Sequence, residues 1–183
     1  MRRRRGVLLG LLLAGLVMGG CSLPRIIVLN DPLDARQHND LGAAYEQRGD
    51  HDLAQRAYRR AAELERDWAV PLVNLGNVYA HQGDWPAAIA SYRQALQREP
   101  ASVEALNNLA WVLVQAGRAA EALPLARQAV SLAAADPHCW DTLAAVYLAL
   151  DRPAEARDAA ERGLALDPPP PLRSTLESRL PSD

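Results

Sequence analysis

Residues 69–102 read AVPLVNLGNVYAHQGDWPAAIASYRQALQREPAS, and the spacing inside this stretch decides the fold. Leu72, Leu75, Gly76 and Tyr79 recur at helical spacing and run into Gly83, a glycine placed where a helix stops. Beyond Pro86 a second helical face carries Ala88, Tyr92 and Ala95. Two helices joined by a tight turn are therefore predicted. The same spelling returns at a step of 34 residues. Leu41-Gly42, Leu75-Gly76, Leu109-Ala110 and Leu143-Ala144 hold one place; Tyr45, Tyr79, Leu113 and Tyr147 hold the next. Gly49, Gly83, Gly117 and Asp151 follow, then Ala54, Ala88, Ala122 and Ala156. Tyr58, Tyr92, Ala126 and Ala160 share a further place, as do Ala61, Ala95, Ala129 and Gly163. Four units in register without an insertion mark a repeat array.

The residue types explain why such units pack. Gly42, Gly76 and Ala110 let one helix approach its partner closely, the alanines of the second helix do the same, and the tyrosines fill the space that remains. Pro71, Pro86, Pro137 and Pro153 stand near first turns, Pro100 and Pro168 past helix ends. Pro124 falls inside the second helix of the third unit, where it removes a backbone bond and is expected to bend the helix. One unit cannot bury its apolar face alone, so stacking is required.

The Leu-Gly, Tyr, Ala, aromatic, Ala and Pro pattern over 35–168 resembles the tetratricopeptide repeat, and residues 69–102 match it best. The resemblance implies an all-α protein, an α-solenoid of four helix–turn–helix repeats at 35–68, 69–102, 103–136 and 137–170. Leu172, Leu176 and Leu180 recur at helical spacing within 171–183, as suits a short C-terminal capping helix and tail. The first unit departs from the family in lacking a terminal Pro, the third in carrying Ala126 for an aromatic, and the fourth in carrying Gly163 for the last Ala.

In a stack of this kind the first helix of each unit lines an inner, concave wall. The resemblance places Arg36, Asn39, Asp40, Asn74, Asn77 and His81 on it, followed by Glu104, Asn107, Asn108, Trp111 and Gln115. Asp141, Thr142 and Ala145 complete it from the fourth unit. Asparagines at one-repeat spacing offer donor and acceptor pairs to an extended peptide backbone, and Trp111 is the natural anchor. The plainer reading is that the amides are solvated surface and that Trp111 packs on a neighbouring helix. Relatives that clamp a terminal carboxylate use Lys and Arg. Here Asn39 holds the Lys place, no Lys occurs in the chain, and Arg36 is the lone cation expected opposite Asp40, Glu46, Glu104 and Asp141.

The N-terminus reads as an address. Arg2 to Arg5 precede an apolar run from Val7 to Met18, the layout of a secretory signal over 1–20. The run falls short of the roughly 20 residues needed to span a bilayer. Met18-Gly19-Gly20-Cys21 resembles the bacterial lipobox, which implies acylation of Cys21 and a membrane attachment through N-terminal lipid. Ser22 after the cysteine implies, by enteric rules, an outer-membrane protein facing the periplasm. An incidental cysteine behind a plain signal is the alternative. Residues 21–34 then read as a tether, with the apolar run 25–29 either docked or merely sticky. If Cys21 is acylated, Cys139 has no partner in the chain and is expected to be inert packing rather than a reactive thiol.

Composition narrows the function classes. All 20 basic residues are Arg against 22 acids. Without Arg2 to Arg5 the balance is 16 to 22, a net charge of −6, which gives no broad footprint for nucleic acid. His38, His51, His81 and His138 lack metal-ligand pairing, and the chain has no P-loop, dinucleotide fingerprint or nucleophile elbow. No enzyme activity, cofactor or metal is expected. The expectation is a lipid-anchored periplasmic scaffold or adaptor that binds a protein or extended peptide in its groove, for envelope assembly or secretion. The alternative is a structural subunit of a pilus, secretin, barrel-assembly or polysaccharide-export machine, held through its convex face or ends.

Overall fold

The computed structural model describes residues 31–180. The expected signal segment, the expected acylation site Cys21, the apolar run 25–29 and the last three residues lie outside the described residues. The chain divides into two units, 1–32 and 33–183, and the second holds every described helix. Among the described residues there are nine helices and no strand. They are α1 Ala35–Gln47, α2 His51–Leu64, α3 Val70–His81, α4 Trp85–Arg98, α5 Val103–Gln115, α6 Ala119–Leu132, α7 Pro137–Ala149, α8 Pro153–Leu164 and α9 Pro170–Ser178.

Local chemistry sets where each helix begins. Asp34 caps α1 through a reciprocal pair: the Gln37 amide donates to Asp34 Oδ1 and the Asp34 amide to Gln37 Oε1, both at 2.9 Å. Asp84, Ser102 and Asp136 cap α4, α5 and α7 in the same sense. Prolines open α3, α4, α7, α8 and α9, where a missing N–H is harmless.

The turn inside each repeat is equally regular. After α1 the Asp50 amide donates to the Tyr45 carbonyl and the Gly49 amide to Glu46, both at 2.9 Å. The same pair of bonds follows α3, α5 and α7. This is a helix end that requires one left-handed residue. Gly49, Gly83 and Gly117 supply it at φ +78, +74 and +72°. In the fourth repeat Asp151 takes the place at φ +56°, a conformation aspartate tolerates better than most residues.

Helices pair as α1·α2, α3·α4, α5·α6 and α7·α8, and each second helix also packs on the next first helix. First helices touch in succession, whereas the backbones of α2, α4, α6 and α8 stay apart from one another. A double row that touches on one side and splays on the other is curved, so α1, α3, α5 and α7 form the inside of the bend. Helix α9 packs on both α7 and α8, the position a further first helix would take. Its Leu172 and Leu176 are buried there, and a Cβ at position 163 would lie 2.9 Å from Leu176. That contact accounts for glycine in the fourth repeat where the other three carry alanine. Helix α6 continues from Ala119 to Leu132 through Pro124, which is exposed.

Packing within a repeat follows side-chain size. A Cβ on Gly42 would fall 2.6 Å from the Tyr58 ring, and one on Gly76 2.6 Å from Tyr92. In the third and fourth repeats both places change together, to Ala110 with Ala126 and Ala144 with Ala160, all fully buried. Glycine is thus matched to tyrosine and alanine to alanine. Gly76→Ala is expected to lower stability by about 1–3 kcal/mol through overpacking. In a Tyr92→Ala background the same change should be milder by about 1 kcal/mol or more. Urea titration of the four variants of this cycle measures the coupling.

Candidate functional site

The inner face of the bend is built from α1, α3, α5 and α7. Asn74 Nδ2 donates to Asn39 Oδ1 at 3.0 Å, joining the first two repeats. Asn108 Nδ2 donates to Asn77 Oδ1 at 3.0 Å, joining the second and third. Asn77 Oδ1 also accepts the Tyr92 hydroxyl at 2.6 Å. The asparagines therefore stand as two paired rungs rather than as four separate side chains. Each rung retains capacity, because an amide offers more sites than one bond consumes.

A cleft of about 340 Å³ opens beside the second rung, lined by Glu46, Asn77, Ala80, His81, Tyr92, Asn108 and Trp111. Glu46 comes from the last turn of α1, and its Oε2 accepts the Tyr58 hydroxyl at 2.8 Å. His81 Nδ1 lies 3.7 Å from Glu46 Oε1. Trp111 is 37% exposed. It meets Trp85 edge-on, with ring centres 6.0 Å apart and planes at 79°, a favoured aromatic geometry that fixes the indole while leaving part of it open. A neighbouring cleft of about 400 Å³ is lined by Val103, Glu104, Asn107, Asn108, Asp136 and His138. The buried Oδ1 of Asn107 has no hydrogen-bond partner there.

The remaining residues expected on the wall are differently engaged. Arg36 turns to the α2–α3 connection, its guanidinium 4.9 Å above the Trp68 ring and 4.0 Å from Glu65. Gln115 is exposed at the end of α5. In the fourth repeat Thr142 and Ala145 are buried, and Asp141 accepts a bond from Nε of Arg179, the residue that follows α9, at 3.1 Å. The open wall is thus concentrated in the first three repeats. The sequence reading left Tyr92 and Ala80 out of the site and counted Glu46 only as a background charge. The signal for Tyr92 was available: Tyr58 and Tyr92 share one repeat place, and each hydroxyl reaches the first helix of its own repeat.

Burial shapes the titration of this scaffold. The Tyr92 phenol is pushed far above its ordinary range by burial and then by the Glu104 carboxylate, with Asn108 opposing and Glu46 adding. Tyr58 is raised by burial and by its bond to Glu46. Both phenols therefore remain donors at all physiological pH. The Cys139 thiol is buried and pushed up to about 12 by burial and by Asp136. Among the described residues no group of three or more His, Cys, Asp or Glu could hold a metal ion.

This repeated architecture coincides with one known family. Residues 35–67, 69–135 and 113–180 each match models of the tetratricopeptide repeat, and the chain belongs to that family. Solved structures share the fold. MamA (residues 41 to the end) from Desulfovibrio magneticus RS-1 is 23% identical, with 79% of this chain and 82% of that one covered and a TM-score of 0.69. TTC0263, a thermophilic TPR protein of Thermus thermophilus, is 19% identical over 79% of this chain and 80% of its own, with a TM-score of 0.67. YrrB, described as a TPR protein with an unusual peptide-binding site, is 22% identical over 74% of this chain and 70% of its own, with a TM-score of 0.65. No curated protein matches the sequence.

The raised thiol yields a direct expectation. In the full chain carrying Cys21→Ala, Cys139 should not react with an aromatic disulfide reagent near pH 8 until denaturant is added. Absorbance of the released thiolate follows the reaction. Rapid labelling of the folded protein would contradict the packing described.

Proposed function

We propose that the repeats bind a protein partner, through an extended segment laid along the hollow formed by α1, α3 and α5. The observation that carries this reading is Trp111, held edge-on by Trp85, exposed, and bordered by amides and a carboxylate in one cleft. Partly exposed aromatics with adjacent polar groups are where binding energy concentrates. The asparagine rungs supply backbone-directed hydrogen bonds along the same wall. The chain would act as an adaptor with no chemistry of its own.

The finer part of the reading rests on sequence. Met18-Gly19-Gly20-Cys21 supports acylation of Cys21 and attachment to the bacterial envelope, with the repeats facing the periplasm. No helix among the described residues is long and apolar enough to cross a membrane. The adaptor would then recruit its partner to the membrane for envelope assembly or secretion.

A second reading has its own observation. The outer side carries a cleft of about 660 Å³ between α2 and α4, lined among others by Arg59, Leu72, Tyr79, Gln94 and Arg98. A structural subunit of an envelope machine could be held there instead. Photo-crosslinking groups at Gln115 and at Gln94 in the native cell separate the two. Adaptor function predicts a captured polypeptide at Gln115, lost about tenfold or more when Trp111→Ala is combined with Asn74→Ala and Asn108→Ala. Capture at Gln94 that survives the triple change would move the interface to the outer side.

The anchor is checked separately. Metabolic labelling with a fatty acid should mark the chain and fractionate it with membranes, and Cys21→Ala should abolish both. An unlabelled wild-type chain would remove lipid from the account.

A further inference from the structure

The inner wall has a charge asymmetry that the fold itself creates. Carboxylates gather on it: Glu46 of α1 lines the central cleft, Glu104 of α5 and Asp136 the neighbouring one, and Asp40 of α1 and Asp141 of α7 hold inward repeat positions. The two arginines that could balance them are used elsewhere or locally. Arg36 is drawn over Trp68, towards Glu65, and Arg179 is committed to Asp141. Among the described residues, Asp40, Glu46 and Glu104 have no arginine partner. His81 and His138 are the remaining groups on this wall that can carry positive charge.

No arginine is among the described residues that line the central cleft. Its tyrosine hydroxyls are spent inward, and the amide and indole donors of Asn77, Asn108 and Trp111 are neutral. Tyr58 donates to Glu46, while Tyr92 and Asn108 both donate to Asn77. The Glu46 carboxylate lines this cleft together with an exposed indole. A carboxylate next to an aromatic ring in a partly desolvated cleft favours a guanidinium or ammonium group, by Coulomb attraction and cation–π contact together. An anionic or carboxyl-terminal ligand would meet the repulsion of Glu46 and find no arginine among the described residues of the cleft.

We propose that the groove selects a basic extended polypeptide, seating an Arg or Lys side chain between Glu46 and Trp111 with Glu104 as a flanking charge. This rests on the groove reading above and names its partner class. The basic residue supplies the cationic partner that no described arginine gives Glu46. The asparagine rungs on α1, α3 and α5 hold the backbone and add no charge preference of their own.

The test uses the full chain in non-ionic detergent, panned against a random dodecapeptide library, with the Trp111→Ala chain as counter-selection. The expected outcome is enrichment of Arg and Lys and depletion of Asp and Glu among Trp111-dependent binders. An enriched peptide should lose about three- to tenfold in affinity with Glu46→Gln and again with Glu104→Gln. Raised salt should weaken it further. Both substitutions are near-isosteric, and the amide oxygen that Glu46→Gln leaves in place can still accept the Tyr58 hydroxyl, so the fold is retained; circular dichroism and the urea midpoint check this. Trp111-dependent binders with neutral or acidic sequences would overturn the charge proposal and leave the groove reading standing. Basic binders indifferent to both glutamates would also overturn it. Absence of any Trp111-dependent binder would remove the groove reading and the proposal together. Self-association abolished by Trp111→Ala would assign the groove to a second copy of the chain and overturn the basic-partner claim.

Discussion

The contact between a helix glycine and a tyrosine ring inside the first two repeats governs both the packing and the groove. Gly42 and Gly76 leave no room for a methyl group because Tyr58 and Tyr92 lie flat against them. That closeness lets each ring pass through the layer between paired helices and deliver its hydroxyl to the far side. There the two hydroxyls fix Glu46 and Asn77 at 2.8 and 2.6 Å. Core and site are thus two ends of one side chain. Where the pair becomes alanine on alanine, as in the third and fourth repeats, no hydroxyl arrives. The wall of the fourth repeat is accordingly organised from outside, by Arg179 at the end of α9 on Asp141.

Neighbouring repeats are held by a different set of bonds. Arg98, at the end of α4, donates to the carbonyls of Ala62, Glu65 and Trp68 at 3.1, 3.3 and 2.9 Å. These carbonyls lie at the end of α2 and in the connection to α3, where helical bonding runs out. Arg59 and Arg127 reach from α2 and α6 to the hydroxyls of Tyr79 and Tyr147 in the following repeat. The asparagine rungs do the same work on the inner side. In a stack whose units meet only their neighbours, such interface bonds set how stability propagates along the array. The cap matters for the same reason. Leu172 and Leu176 cover apolar surface that would otherwise end in water.

The 34-residue step is enough to read the fold, because each repeat place has a fixed steric role and the chain obeys it in all four copies. Even the departures are informative once placed: Gly163 answers Leu176, and Asp151 accepts a left-handed backbone. Pro124 is expected to bend its helix, and α6 is continuous from Ala119 to Leu132 across it. The site is legible only in outline. Repeat position says which residues face inward, but not which of them bond to each other. Asn39 with Asn74 and Asn77 with Asn108 pair across repeats, at separations set by superhelical geometry. Arg36 is diverted by Trp68, and Asp141 by a residue 38 positions later, so neither engagement has a local sequence signature.

The distribution of arginine follows from these same constraints. On the outer helices carboxylates meet guanidinium groups: Glu121 meets Arg93 and Arg118, Glu155 meets Arg152, and Asp158 meets Arg162. Exposed pairs of this kind add little stability, but they cancel the outer field. On the inner side the polar partners of Glu46 are tyrosine and histidine, which leave its charge uncancelled by arginine. A chain whose strong cations serve outer pairs, turns and the cap therefore presents a hollow of the opposite sign. The charge preference assigned to the groove is in this sense a product of the packing: the tyrosines that the glycines admit hold Glu46 and Asn77 in place, no described arginine enters the central cleft, and a carboxylate and an indole remain to meet a ligand.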